Sequence, residues 1–91
     1  MFLLTVADIV TVGGSVLVTG KVAQGRVAVG DAAVLRKADG TEVVTEILRL
    51  ETFGKPAAEE GDNVGLTLKE VSAAEIDRGD QLVSADQGAL E

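Results

Sequence analysis

Three observations predict an all-β fold, a small antiparallel barrel around an aliphatic core. The first is alternation. Val16, Val18 and Val22 share one face of a two-residue pattern, with Gly20 between them and Leu17, Thr19 and Lys21 opposite. Successive side chains of a strand point to opposite faces, so this pattern is a strand's. Branching at Cβ also suits valine to a pleated surface better than to a helix. The second is punctuation: 11 glycines against one proline provide for many tight turns. The third is a core with almost no rings, since Phe2 and Phe53 are the only aromatic residues. With 91 residues the chain makes one domain, near the lower end of the range in which a single core is self-sufficient.

Taken in order, Phe2 to Val10 alternates loosely and reads as a first strand leading into a bend, and Thr11 to Ser15 as a glycine-containing turn. From Ser15 a strand runs to Val22. Ala23 to Arg26 reads as a short turn, with Gly25 free to adopt positive φ, and Val27 and Val29 as the returning arm of a β-hairpin. Ala33 to Lys37 is a third strand, and Asp39-Gly40 a tight-turn dipeptide before Glu42 to Glu51, the longest strand candidate. On it Val43, Thr45 and Ile47 oppose Val44, Leu48 and Leu50. Glu46 interrupts the second set, which predicts partial exposure of that side. Thr52 to Glu60 reads as a loop. Val64, Leu66 and Leu68 alternate against Gly65, Thr67 and Lys69 in a half-buried strand. Ser72 and Glu75 have capping-box spacing for one helical turn. Gln81 to Ser84 is the last strand, and Asp86 to Glu91 reads as a frayed tail.

Composition narrows the chemistry. Without Cys there is no disulfide, thiolate nucleophile or thiolate metal site. Without His the commonest general base and metal ligand is lost. No apolar run approaches the roughly 20 residues that span a bilayer, and the short apolar start lacks the basic region of a signal peptide. A cytoplasmic protein is expected. Fifteen acidic against eight basic residues give a net charge of −7. Binding to nucleic acid relies on neutralising phosphates, so independent nucleic-acid binding is disfavoured.

Several motifs are read as structural. Gly13-Gly14-Ser15 is not a phosphate cradle, because Lys21 is followed by Val22 in a strand rather than by Ser or Thr at a helix start. Arg78-Gly79-Asp80 spells an integrin-recognition tripeptide by chance. Glu59, Glu60 and Asp62 lack the ligand spacing of a cation loop. Gly30-Asp31, Gly61-Asp62 and Gly79-Asp80 read as turn punctuation at a barrel rim, glycine bending the chain and aspartate bonding nearby backbone.

The ordered landmarks carry a resemblance. The run from Val18-Thr19-Gly20-Lys21-Val22 to Val29-Gly30-Asp31 resembles the second, β-barrel domain of translational GTPases, the elongation factor Tu group above all. Phe2-Leu3-Leu4 with Val6-Ala7-Asp8, Gly61 to Leu66 and Glu75 to Leu82 look like the same domain's other signatures, in order and at similar spacing. The resemblance implies a closed or nearly closed six- to eight-stranded antiparallel barrel over residues 1–85, with 86–91 as a C-terminal tail. It implies no GTPase activity of its own, because no P-loop is present, and neither catalytic residues, metal nor cofactor. In elongation factor Tu this domain packs beside the GTPase domain, helps hold the aminoacyl end of tRNA and touches the small ribosomal subunit.

This chain departs from that pattern at two places. Gly13-Gly14-Ser15 lacks the basic residue that family members often carry there. Leu48 to Lys55 has no clean counterpart of the acidic, aromatic and twice-basic segment used beside the aminoacyl end, so tRNA binding is not carried over. Phe53-Gly54-Lys55 is the nearest echo, and Arg49, Phe53 and Lys55 are the candidate contact surface. The expected function is a non-catalytic binding module that docks a protein or ribosomal surface. The alternatives are a fragment of a larger translational GTPase, or a self-associating adaptor barrel unrelated to translation that acts through an exposed strand edge.

Overall fold

The computed structural model of the chain describes residues 2–52 and 54–85, with the side chains of Val12 and Ala73 left aside. Its strands are β1 (Phe2–Val12), β2 (Ser15–Ala28), β3 (Ala32–Arg36), β4 (Glu42–Glu51), β5 (Ala57–Glu59), β6 (Asn63–Leu68) and β7 (Gln81–Ser84), with one 3₁₀ turn at Ala73–Glu75. They hydrogen-bond in the order β1-β7-β3-β4-β6-β2, and β1 pairs with β2 to close the ring; β5 lies outside it, on the end of β2. Every pairing is antiparallel. The expected all-β antiparallel barrel is therefore present, with six strands in the closed wall. The expected tail at 86–91 lies outside the described residues.

The hairpin falls elsewhere than the sequence suggests. Ser15–Ala28 is one unbroken strand, and the reversal lies before it, where Val12 pairs with Ser15 across Gly13-Gly14. Both glycines have positive φ, +54° and +85°, as the two-residue turn whose twist matches paired strands requires. Ala23 to Arg26 bends the strand instead of reversing it. The β1 register slips between Leu3 and Leu4, so that Leu4 faces Val22 while Leu3 faces Gln24. Beyond this bulge β2 turns to pair with β5 through Arg26, Val27 and Ala28. A glycine between two alternating runs marks either a turn or a bulge, and local sequence does not separate them.

The β3–β4 connection follows the Asp39-Gly40 signal. Gly40 N–H donates to Lys37 O, Lys37 N–H donates to Thr41 O, and Asp39 Oδ1 accepts from Thr41 N–H. That is a three-residue loop closed by a glycine at φ +92°, the usual longer alternative to a two-residue turn. On β4, Thr45 and Ile47 point inward and Val44 is exposed, as the alternation predicts. A bulge at Leu48, between Ile47 opposite Leu68 and Arg49 opposite Thr67, then moves the inward positions to Leu50. The segment read as a loop, Thr52 to Glu60, contains β5.

Among the described residues the core is aliphatic apart from Phe2. Phe2, Leu4 and Val6 of β1, Val16, Val18 and Val22 of β2, and Leu35, Ile47, Leu66 and Leu82 from the remaining wall form one cluster. Val71 and Ile76, on either side of the 3₁₀ turn, join the same cluster. Half of the predicted capping box is formed: Ser72 N–H donates to Glu75 Oε1 at 2.9 Å. Gly20 sits at the tightest crossing of the wall. A Cβ there would lie 2.3 Å from Thr5 O and 3.1 Å from Leu4 Cδ2, so β1 approaches β2 only because position 20 has no side chain.

The three Gly-Asp pairs make one device used three times. Asp31, Asp62 and Asp80 each donate their backbone N–H to the carbonyl three residues earlier, of Ala28, Glu59 and Asp77. Each also accepts that same residue's N–H on its carboxylate, at 2.9, 2.9 and 2.8 Å. The preceding glycines have φ of +94°, +92° and +93°. Two of these carboxylates also bind a lysine: Asp62 pairs with Lys55, and Asp80 with Lys37.

Candidate functional site

Strand alternation sends half of each barrel strand's side chains outward. On the wall made by β2, β6 and β4 these fall into register. Leu17 faces Thr67, which faces Arg49; Thr19 faces Gly65, which faces Glu51; and Lys21 faces Asn63. Thr52 completes the third row by donating its hydroxyl hydrogen to Asn63 O at 3.0 Å. Position 65, at the centre of this grid, carries no side chain, so the surface sinks there. The result is a groove of about 640 Å³ lined by Ala7, Thr19, Gly20, Lys21, Glu51, Thr52, Asn63, Val64 and Gly65. Ala7 and Lys21 continue it into a second depression of about 560 Å³ that reaches Glu60 and Gly61.

The local causes are visible residue by residue. Ala7 is the extra residue of a bulge, between Val6 opposite Gly20 and Asp8 opposite Thr19. That bulge is held from outside β1, since Val6 N–H donates to Asp80 O and Gly79 N–H to Val6 O. At the far end, Arg78 reaches Asp8 Oδ1 at 3.0 Å. Ile9 N–H and this guanidinium hold the Asp8 carboxyl below the usual carboxylate range. Around the groove, Lys21, Glu51 and Arg49 supply charge of both signs, Thr19, Thr52 and Asn63 neutral polar groups, and Gly20, Gly65 and Ala7 a close approach to backbone. The groove thus joins small residues to a few convergent polar groups, which can orient whatever lies against it by hydrogen bonding. Among the described residues no three acidic side chains are grouped to hold a metal ion.

The sequence-based contact candidates separate. Arg49 is exposed on β4 and joins Ser15, Leu17, Glu51 and Thr67 around a shallower hollow beside the groove. Lys55 is engaged with Asp62, whose carboxyl it holds below its ordinary value together with the Glu59 N–H. Phe53 lies outside the described residues. Thr19, Lys21, Glu51, Thr52, Asn63 and Gly65 were not singled out by the sequence. The signal that points to them is a glycine on the polar face of the alternating strand Asn63–Leu68, since glycine inside a strand often marks a close approach.

The fold and the site together define a six-stranded antiparallel β-barrel, closed by β1 on β2 and grooved over β2, β4 and β6. The family model described as elongation factor Tu domain 2 matches residues 15–83, and the chain belongs to that family. Over 81 residues it is 42% identical to elongation factor Tu 2 of Streptomyces avermitilis, a match covering 86% of this chain and 20% of that protein. It is 33% identical over 82 residues to the apicoplast elongation factor Tu of Plasmodium falciparum, again over 86% of this chain and 20% of the relative. The chain thus spans about a fifth of the length of the curated relatives it matches. No helix among the described residues is long and apolar enough to cross a membrane.

Proposed function

We propose that this barrel is the non-catalytic docking module of a translational GTPase, working in the cytoplasm and engaging a protein or ribosomal surface through the groove centred on Gly65. The observation that supports this reading is the registered grid itself. A closed wall fixes Thr19, Glu51, Asn63 and Lys21 relative to one another, and a rigid, preformed surface binds without the cost of ordering itself. Its role is to hold and orient. Chemistry on GTP belongs to a nucleotide-binding domain, of which the matched region carries no part.

The net charge of −7 makes recognition by shape and hydrogen bonding a better account of docking than attraction to phosphates. The test is a pull-down from cell lysate with the tagged chain at low and moderate salt, probed for both ribosomal subunits and for tRNA. Retention of a ribosomal subunit at moderate salt is the expected result. A bound fraction without any ribosomal component overturns the translation reading, and GTP hydrolysis by the purified chain overturns the non-catalytic one.

A further inference from the structure

The other end of β4 carries a second surface, distinct from the groove. Along its outer side run Glu42, Val44, Glu46 and Leu48. Val44 is 76% exposed and Leu48, at the bulge, 43%. Val44 stands opposite Val34 on β3, which is itself only 7% exposed. Gly30 N–H donates to Ile47 O, and Ile47 N–H donates to Asp31 O, which brings the exposed Val29 and the acidic Asp31 to the Leu48 end of the strand. Among the described residues the surroundings are predominantly acidic: Arg36 is tied to Glu42, and Glu46, Glu70 and Asp31, whose carboxylate accepts the Ala28 N–H, outnumber Lys69, whose backbone bonds Glu46.

We propose that the Val44–Leu48 face of β4 docks a basic amphipathic helix of a partner protein. Charge selects this occupant. A second copy of the chain brings a further −7, and the chain's own C-terminal residues 86–91 include Asp86 and Glu91 and no base. Phosphate-bearing partners are repelled for the same reason. Spacing suits a helix, for two side chains four residues apart on a strand are roughly 13 Å apart and two helical turns rise about 11 Å. Lysine or arginine flanking the helix's apolar stripe would then face Glu46 and Asp31.

The test is an amide NMR titration of the full chain with a synthetic amphipathic Lys/Leu helix, and in parallel with its Glu/Leu counterpart. The expected result is shifts confined to Val44, Glu46, Leu48 and their neighbours with the basic peptide alone. Val44→Ser leaves charge unchanged and alters only an exposed position, and it is expected to weaken binding about tenfold. Glu46→Lys, which spares the apolar pair, weakens it too and flattens its salt dependence. Equal binding by Val44→Ser, an equal response to the acidic peptide, or shifts mapping to the Gly65 groove each overturn the proposal. So do concentration-dependent shifts at Val44 without peptide, which would make a second copy the occupant.

Discussion

Replacing Gly20 by alanine tests the packing argument at its tightest point. The added Cβ meets Thr5 O at 2.3 Å and Leu4 Cδ2 at 3.1 Å. The leucine can rotate, but Thr5 O belongs to backbone paired with β2 and cannot withdraw without opening the seam that closes the barrel. Overpacking of a core costs about 1–3 kcal/mol and sometimes more, and a clash with fixed backbone places this substitution at about 3 kcal/mol. For a domain of this size each kcal/mol lowers the melting temperature by roughly 4–8 °C, so a loss of roughly 12–24 °C is expected, followed by circular dichroism or calorimetry. Gly65→Ala is the matched control. Its Cβ has only ordinary contacts, the nearest at 3.4 Å to Leu17 Cδ1, and alanine also narrows the unfolded ensemble. Its stability is expected within about 0.5 kcal/mol of the parent, as for surface substitutions generally. A Gly20→Ala barrel melting within a few degrees of the parent would mean that β1 can give way at Thr5 without opening the seam.

Four further outcomes are expected. Lys37→Met leaves Asp80, whose side chain is 3% exposed, without its cation while Asp77 N–H still binds it; a loss of about 1–3 kcal/mol is expected in urea unfolding. Asp8, Asp39 and Asp62 have carboxyls held below the ordinary value, by the Ile9 N–H, the Thr41 N–H and the Lys55 ammonium first in each case. Their contribution is present above the unfolded-state pKa and lost as pH falls through the lower folded value, so urea midpoints fall below about pH 4, and Asp62→Asn removes part of that slope. Lys37, raised chiefly by its bond to Asp80, acts at the other extreme: its contribution holds below its unfolded pKa and disappears as pH rises through the folded one. Ser84 Oγ is buried with no hydrogen-bond partner among the described residues, so Ser84→Ala is expected to be neutral or to stabilise by up to about 1 kcal/mol, measured by thermal melting.

The strands that alternate without interruption were legible in the sequence, because one buried face imposes the period on every residue. Val64, Leu66 and Leu68 are an example. The Gly-Asp turns were legible for a similar reason: glycine's positive φ and an aspartate bonding back three residues are local properties. Parity changes were not. The bulges at Ala23 and Leu48 add one residue to a strand, and whether Gly25 bends or reverses the chain depends on the partners, β1 and β5, supplied from far along the sequence. Ala57-Ala58-Glu59 is a strand only because Arg26 to Ala28 offers an edge to it; alanine and glutamate have little strand preference of their own. The groove was hidden for the same cause. Positions 17–21, 49–52 and 63–67 come together as a site only when the register sets them side by side, whereas Arg49 and Lys55 drew notice through the echo of the family's segment around Phe53-Gly54-Lys55, and of the two only Arg49 takes a place in the grid.

The depression over Gly65, on an otherwise intact barrel, is the docking surface proposed for this chain. Gly65→Val places a branched side chain in that depression while keeping a residue type suited to strands. Co-sedimentation of parent and variant with purified ribosomal subunits is the direct measurement. The variant is expected to melt like the parent and no longer to pellet with the subunit. Equal co-sedimentation by a folded Gly65→Val barrel would contradict that proposal.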